Sequence, residues 1–299
     1  MRLLDGFQSA LNPQSPEAAA TAGLAWVLMI GAAVIFIAVM LLALIALRSR
    51  PAWLAQQRVV VWGGIAFPVV VLTVLLIYSA GVAPARREPV ALRIEVVGHQ
   101  WWWRVRYLDA GGGLAFETAN EIRLPVGQRV ELALASADVL HSFWAPNLAG
   151  KLDMIPGRTN RLTFTAETAA VFRGQCAEYC GGPHAQTALY IVTLSPEAFA
   201  QWAAQQRQPA AAPDRTFESH CAVCHTVRGT QAAGVLGPDL THVGSRLSIG
   251  AGTLPTDAGQ MARWISSNQH IKPGNLMPAF SEFTGEELVA LAGYLASLR

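Results

Sequence analysis

Charge is scarce in this chain. Of 299 residues, 14% are Asp, Glu, Lys or Arg and 52% are hydrophobic, and the mean hydropathy is +0.32. Ordinary soluble domains carry about a quarter charged residues, and disordered chains carry more, so neither class fits. The net charge of +2 leaves no basic excess for binding nucleic acid. Four cysteines are too few for a disulfide scaffold of this size. Methionine is sparse as well: Met1, Met29, Met40, Met154, Met261 and Met277 are all there are.

What is abundant sits at the front. Ala22 to Leu47 holds no charged residue and spans about 39 Å as a helix, and Val59 to Ala80 spans about 33 Å. Residues 1–80 contain only 4 basic and 2 acidic side chains. Pro68 interrupts the second run, which a membrane helix tolerates. The pattern predicts a transmembrane hairpin over 21–81, with helices at about 22–47 and 59–80. Arg48, Arg50 and Arg58 flank the turn and place it in the cytoplasm, so both ends of the hairpin face outward. The preceding 1–20 segment, with Arg2 followed by acid-containing polar sequence, lacks the order of a cleaved signal peptide, so the hairpin is expected to be retained.

From residue 82 to 207 the texture changes to short alternating segments: Leu92–Val97, Trp101–Tyr107, Glu121–Pro125, Arg129–Ala135, Thr159–Thr165 and Ala188–Leu194. Gly111-Gly112-Gly113 and Pro156-Gly157 supply turns, and the pattern predicts an all-β sandwich or barrel. A helix follows, capped by Ser195 with Pro196 at its first position, running to about Arg207. Residues 208–214, with Pro209 and Pro213, read as a linker.

Cys176, Cys180 and His184 place two thiols and an imidazole within nine residues, a donor set suited to copper or zinc. A Cys176–Cys180 disulfide is the competing reading, since outer faces are often oxidising. His141 offers a second imidazole, though a lone histidine after a strand more often packs structurally. Residues 215–299 form a compact unit with Cys221-Ala-Val-Cys224-His225, the attachment signature for c-type haem. The thiols add to the haem vinyl groups and the histidine reaches the iron. Met277, in a Pro-flanked loop, is the expected second axial ligand, whereas Met261 reads as core on a helix at about Asp257 to Asn268. His220, His242 and His270 are rival ligands. Thr284-Gly-Glu-Glu287 forms a capping box before the last helix.

Four motifs follow the hairpin in order: Gly98-His99-Gln100-Trp101-Trp102-Trp103, Val139-Leu140-His141-Ser142-Phe143, Lys151 to Arg158, and Cys176-x-Glu178-x-Cys180-Gly-x-x-His184. Over about residues 10–205 the chain resembles subunit II of the haem–copper cytochrome c oxidases, with a cupredoxin domain bearing a binuclear CuA centre. The C-terminal unit resembles a class I cytochrome c, as in oxidases that carry a fused cytochrome. The resemblance implies that Cys176 and Cys180 bridge two coppers, with His141 and His184 as terminal ligands. It makes the Glu178 carbonyl a weak axial ligand and its carboxylate a ligand of magnesium at the subunit I interface. It assigns Trp101 to electron transfer, against plain packing of the Trp101–Trp103 run. The Gly237-Pro238-Asp239-Leu240 stretch is similar to the loop whose proline carbonyl orients the axial histidine.

One position departs from the family pattern: the second axial copper ligand, a methionine three residues after His184, is here Thr187. Axial ligands tune copper potentials, so an altered potential and a less symmetric pair are expected. Met154 is the available substitute in the same domain. The implied function is relay of electrons from a donor, such as a cytochrome c or a respiratory complex, through haem c and CuA to subunit I, with subunit III as a further partner. The hairpin offers no proton path of its own, and oxygen chemistry belongs to the partner. The implied location is a bacterial-type plasma membrane with both metal domains outside. Alternatives are a subunit of a CuA-containing nitric oxide reductase or a stand-alone membrane-anchored carrier. Residues 81–200 hold 11 basic and 11 acidic residues, so charge steering of a donor is not evident; a tether supplies effective concentration instead.

Overall fold

The computed structural model describes residues 8–82, 89–210 and 213–299. The start of the N-terminal segment, the first residues of the 82–207 region and two alanines of the 208–214 linker lie outside the described residues. Two compact units result, one containing the apolar hairpin and the other everything after it together with the segment up to Ser15.

In the hairpin unit, helices Pro16–Ser49 and Gln57–Val82 are both long and apolar enough to cross a membrane. Their large apolar side chains, among them Phe36, Val70 and Leu76, are exposed over most of their length. That composition leaves no polar face for water and suits lipid. Trp62–Ala66, just before Pro68, is wound as a π-turn. Proline cannot donate to the carbonyl four residues back, and a wider turn accommodates the loss.

Ten strands build the sandwich: β1 Leu92–His99, β2 Trp102–Leu108, β3 Leu114–Ala119, β4 Glu121–Pro125, β5 Arg129–Ser136, β6 His141–Trp144, β7 Leu152–Met154, β8 Asn160–Thr165, β9 Val171–Cys176 and β10 Ala188–Leu194. They form two five-stranded sheets in the orders β3-β2-β1-β5-β8 and β4-β10-β9-β6-β7. The pairs β1–β5 and β4–β10 are parallel and the others antiparallel. Alternation explains the core: Val130, Leu132 and Leu134 of β5 point inward onto Trp103, Phe143 and Phe172. The six segments expected from alternation are all strands, and β3, β6, β7 and β9 are additional. The predicted helix is Pro196–Gln206, with the Ser195 hydroxyl accepting from the Ala198 N–H. Residues of the N-terminal segment lie along this domain: Gln14 donates to the Asn147 carbonyl and Glu167 donates back to Gln14.

The C-terminal unit has helices Arg215–His220, Ala258–Ile271 and Gly285–Ser297, with a short hairpin of Ser248–Ile249 and Leu254–Pro255. Phe217 meets Tyr294 at a ring distance of 5.8 Å, so the first and last helices pack as the apolar pattern requires. Met261 is core, and the Thr284–Glu287 capping box forms. This unit is docked on the sandwich. Arg104 donates to the Val235 carbonyl at 2.7 Å, Arg123 to Ser245 at 3.0 Å, and Leu247 N–H to Glu121 at 2.7 Å. The chain between the domains is itself bonded: Ala210 N–H to the Arg228 carbonyl, and Arg228 to the Gln206 carbonyl.

Candidate metal and haem sites

Three neighbouring segments assemble the first site. β6 begins at His141, β9 ends at Cys176, and the loop to β10 carries Cys180 and His184. Donor atoms of His141, Cys176 and Cys180 all lie within 4.8 Å of one another. Each thiol faces an imidazole: Cys176 Sγ is 3.8 Å from His141 Nδ1, and Cys180 Sγ is 3.5 Å from His184 Nδ1. No disulfide forms, all four cysteines being free thiols. A hydrogen bond from Cys180 holds the Cys176 thiol far below its ordinary range, and the same bond, with burial, pushes Cys180 up. The shared hydrogen bond thus favours charge on Cys176, and a metal binding both thiols would displace its proton. Two thiols and two imidazoles are a soft donor set that fits copper.

The surroundings aim these donors. His141 is fully buried, and its Nε2 is 2.8 Å from Asp138, which leaves Nδ1 for a metal. Asp138 was not singled out by the sequence motifs; its position three residues before His141, in a loop, was the available signal. A Cβ on Gly98 would sit 2.9 Å from the His141 ring, so glycine there gives the imidazole its space. The Glu178 carbonyl lies 3.1 Å from Cys176 Sγ, while its carboxylate turns toward Lys151 at 3.9 Å. Thr187 is 1% exposed, and its hydroxyl donates to the Pro183 carbonyl and reaches the Cys180 thiol. Met154 is fully buried and directly opposite His141 in the β6–β7 register.

The second site is a cavity of about 590 Å³ lined by Cys221, Cys224, His225 and Met277. His225 Nδ1 donates to the Pro238 carbonyl at 2.8 Å, which directs Nε2 away from that bond and fixes the tautomer. A Cβ on Gly237 would meet the His225 ring at 2.5 Å, so the loop can approach the imidazole only with glycine there. Arg246 also lines the cavity and is 9% exposed; its Nη2 donates to the Asp239 carbonyl, and its Nε has no hydrogen-bond partner among the described residues. A thiol pair, an imidazole, a thioether and a cation with an unsatisfied Nε around an apolar cavity fit a haem with its acidic side chains. Of the rival histidines, His220 packs edge-on against Phe283, His242 bonds the Gln208 carbonyl, and His270 is exposed.

Trp101 belongs to both sites. Its ring lines the cavity with Trp102, and its Nε1 donates to the Cys180 carbonyl at 2.9 Å, beside Gln100 Nε2 at 2.8 Å. Gly181, at φ +116°, makes room: a Cβ there would lie 2.8 Å from the Trp101 ring.

Residues 108–194 match the family model for the periplasmic domain of cytochrome c oxidase subunit II, and residues 210–299 match the cytochrome c model. The two models imply copper in the sandwich and haem in the C-terminal unit. Cytochrome c oxidase subunit 2 of Alkalihalophilus pseudofirmus is 37% identical over 215 residues, covering 69% of this chain and 61% of that protein. The corresponding Bacillus subtilis protein is 30% identical over 233 residues, covering 72% and 64%. The chain thus spans somewhat under two thirds of the length of these relatives. The crystal structure of the periplasmic domain of subunit II of cytochrome oxidase from Bradyrhizobium japonicum shares 31% identity over 41% of this chain and 97% of that one, with a TM-score of 0.38. Residues 108–194 thus form a cytochrome c oxidase subunit II periplasmic domain and residues 210–299 a cytochrome c domain.

Proposed function

We propose that this chain is the electron-input subunit of a terminal respiratory oxidase, carrying electrons from an external donor toward the oxygen-reducing haem–copper centre of a subunit I. When bound, the copper pair and the haem supply two one-electron redox centres. The observation that carries the reading is Trp101, which walls the haem cavity on one side and hydrogen-bonds the carbonyl of Cys180 on the other.

The residues divide the work as follows. Cys176 and Cys180 would hold the copper pair as thiolates together with the imidazoles of His141 and His184, and the Glu178 carbonyl would be a weak further donor. Asp138 orients His141. Thr187 leaves the methionine position with a hydroxyl already engaged by Pro183, so the pair keeps four strong ligands and an altered potential. Cys221 and Cys224 would attach the haem covalently, and His225 and Met277 would ligate it. Trp101 is the residue through which the two sites communicate. The Glu178 carboxylate is the group available to magnesium at a subunit I interface, and a subunit III is the further expected partner. The hairpin spans a bacterial-type plasma membrane with both metal domains outside. The bonding of Gln14 to the domain that follows the hairpin supports both ends sharing that face.

Metal and haem analysis of the full chain in detergent tests this. Two coppers and one haem resistant to acid–acetone extraction are expected, with an unpaired electron shared between the coppers in paramagnetic resonance. A Cys176–Cys180 disulfide without copper would overturn the assignment, and an electron confined to one copper would overturn the shared pair.

A further inference from the structure

The chain has two lysines, Lys151 and Lys272, among 22 basic residues. Lys151 is a half-exposed surface residue, as lysines usually are. Lys272 is the opposite: it follows the helix Ala258–Ile271 in the cytochrome domain and is 2% exposed. Among the described residues no carboxylate pairs with it. Its Nζ donates instead to three backbone carbonyls: Trp101 at 2.6 Å, Gln186 at 2.8 Å and Gly250 at 3.1 Å. An ammonium has three N–H groups, and all three are taken. A planar guanidinium, with five donors, does not match that arrangement.

The three carbonyls come from different places. Trp101 and Gln186 belong to the copper domain, Gly250 to the cytochrome domain. Trp101 is the residue shared by both sites, and Gln186 lies two residues after His184 in the copper loop. The neighbouring bond returns the contact, since Gln186 Nε2 donates to the Ile271 carbonyl at 2.8 Å. Gly274, just beyond, lies beside the Trp101 ring, which a Cβ there would meet in ordinary contact at 3.7 Å. Burying a cation opposes folding unless its hydrogen bonds are complete, so this one is held in place by completing them.

We propose that Lys272 is a positioning residue that fixes the cytochrome domain on the copper domain, holding the Trp101 backbone and the copper-ligand loop in one arrangement. The proposal rests on the electron-input reading for its functional consequence and on geometry alone for the docking. Without the ammonium, three carbonyls at the interface lose their common donor. The two domains then remain linked through Arg104, Arg123, Glu121 and the Gln186–Ile271 bond.

The test uses the full chain with Lys272→Met, which keeps the length of the stem and removes every donor, and Lys272→Gln, which keeps two amide donors. Amide hydrogen exchange of residues 100–102, 185–188 and 270–275 reads the docking. Flash-induced electron transfer from haem to copper reads the function. The expected result for Lys272→Met is unchanged haem and copper absorption, faster exchange in those three segments and transfer slowed roughly tenfold or more, with Lys272→Gln intermediate. Unchanged exchange and unchanged transfer in Lys272→Met, with intact spectra, would overturn the proposal. If Lys272→Met does not fold, Lys272→Gln carries the same two outcomes at smaller amplitude. Absent transfer in the unaltered chain would refute the electron-input reading, while the exchange difference would still decide the docking.

Discussion

A single hydrogen atom in place of a side chain decides how the His141 imidazole sits. Gly98 leaves the ring its space, because a methyl at that position would lie 2.9 Å from Cδ2 and 3.0 Å from Cγ. The residue is in the middle of paired backbone, opposite Trp103 on β2 and Ser136 on β5, so the strand cannot shift to absorb an intrusion. Gly98→Ala is expected to weaken copper retention roughly tenfold or more, the range seen when support of a metal ligand is lost, while the sheet stays formed. Competition with a copper chelator measures this. Retention equal to that of the unaltered chain would show that His141 has another position from which to bind. Residue identity also made most of this site legible from sequence. The cysteines and histidines announce themselves by spacing and type. Asp138 does not, because an aspartate three residues before a histidine is common and only the loop geometry turns it toward Nε2.

At the scale of elements, the strands that could be read from sequence are those whose inward positions are ordinary apolar residues. β5 alternates valine and leucine with arginine, glutamate and alanine, and the first half of β1 alternates aliphatic residues with Arg93 and Glu95. β9 buries Phe172, Gly174 and Cys176, so two of its three inward residues carry no hydrophobic signal. Gly174 is small for a reason: a Cβ would meet the Leu189 side chain at 2.8 Å and the Trp144 carbonyl at 3.1 Å. β6 is four residues long, and its first inward residue is the candidate ligand His141. The strands that carry the site are thus the ones hidden by it. Helix ends, by contrast, were legible because capping is local. The Thr284 hydroxyl accepts from Glu287 N–H, and the Glu287 carboxylate accepts from Thr284 in return. Thr284→Ala is expected to lower the stability of the cytochrome domain by about 1 kcal/mol. Acceptance from the Thr284 backbone N–H, then from its hydroxyl, holds Glu287 below the ordinary value of 4.5. A carboxylate so lowered stabilises fully above its unfolded pKa and loses the contribution as pH falls through the folded one. The difference in thermal midpoint between the unaltered chain and Glu287→Ala, followed by haem absorbance, should therefore shrink on acidification below pH 4.5. A difference that persists at lower pH would assign the effect to helix propensity rather than to the charge.

For the molecule as a whole, the domain order was legible and the docking was not. Composition separates an apolar hairpin, a strand-rich region and a small helical unit. The contacts that join the last two run between residues far apart in the chain, more than 120 for Arg123 with Ser245 and Glu121 with Leu247, and no local pattern encodes such a pairing. Because the sandwich and the cytochrome domain form one compact unit, stability gained in one is expected to be felt in the other. Copper held at a hundredfold excess over its dissociation constant contributes about 2.7 kcal/mol, or roughly 5–10 °C in a unit of this size. Chelating the copper should lower the melting temperature read from haem absorbance as well as that read from the sandwich. A haem transition that ignores the chelator would mean that the two domains melt independently.

The placement of Trp101 and Trp102 gives the cavity a direction. One of its walls is built by another domain and is therefore closed to anything arriving from solution. Leu236 and Leu276, which also line the cavity, stand exposed at 73% and 87%. That wall is tied to the Cys180 loop by the Gln100 and Trp101 hydrogen bonds, so it stays in place whatever meets the exposed leucines.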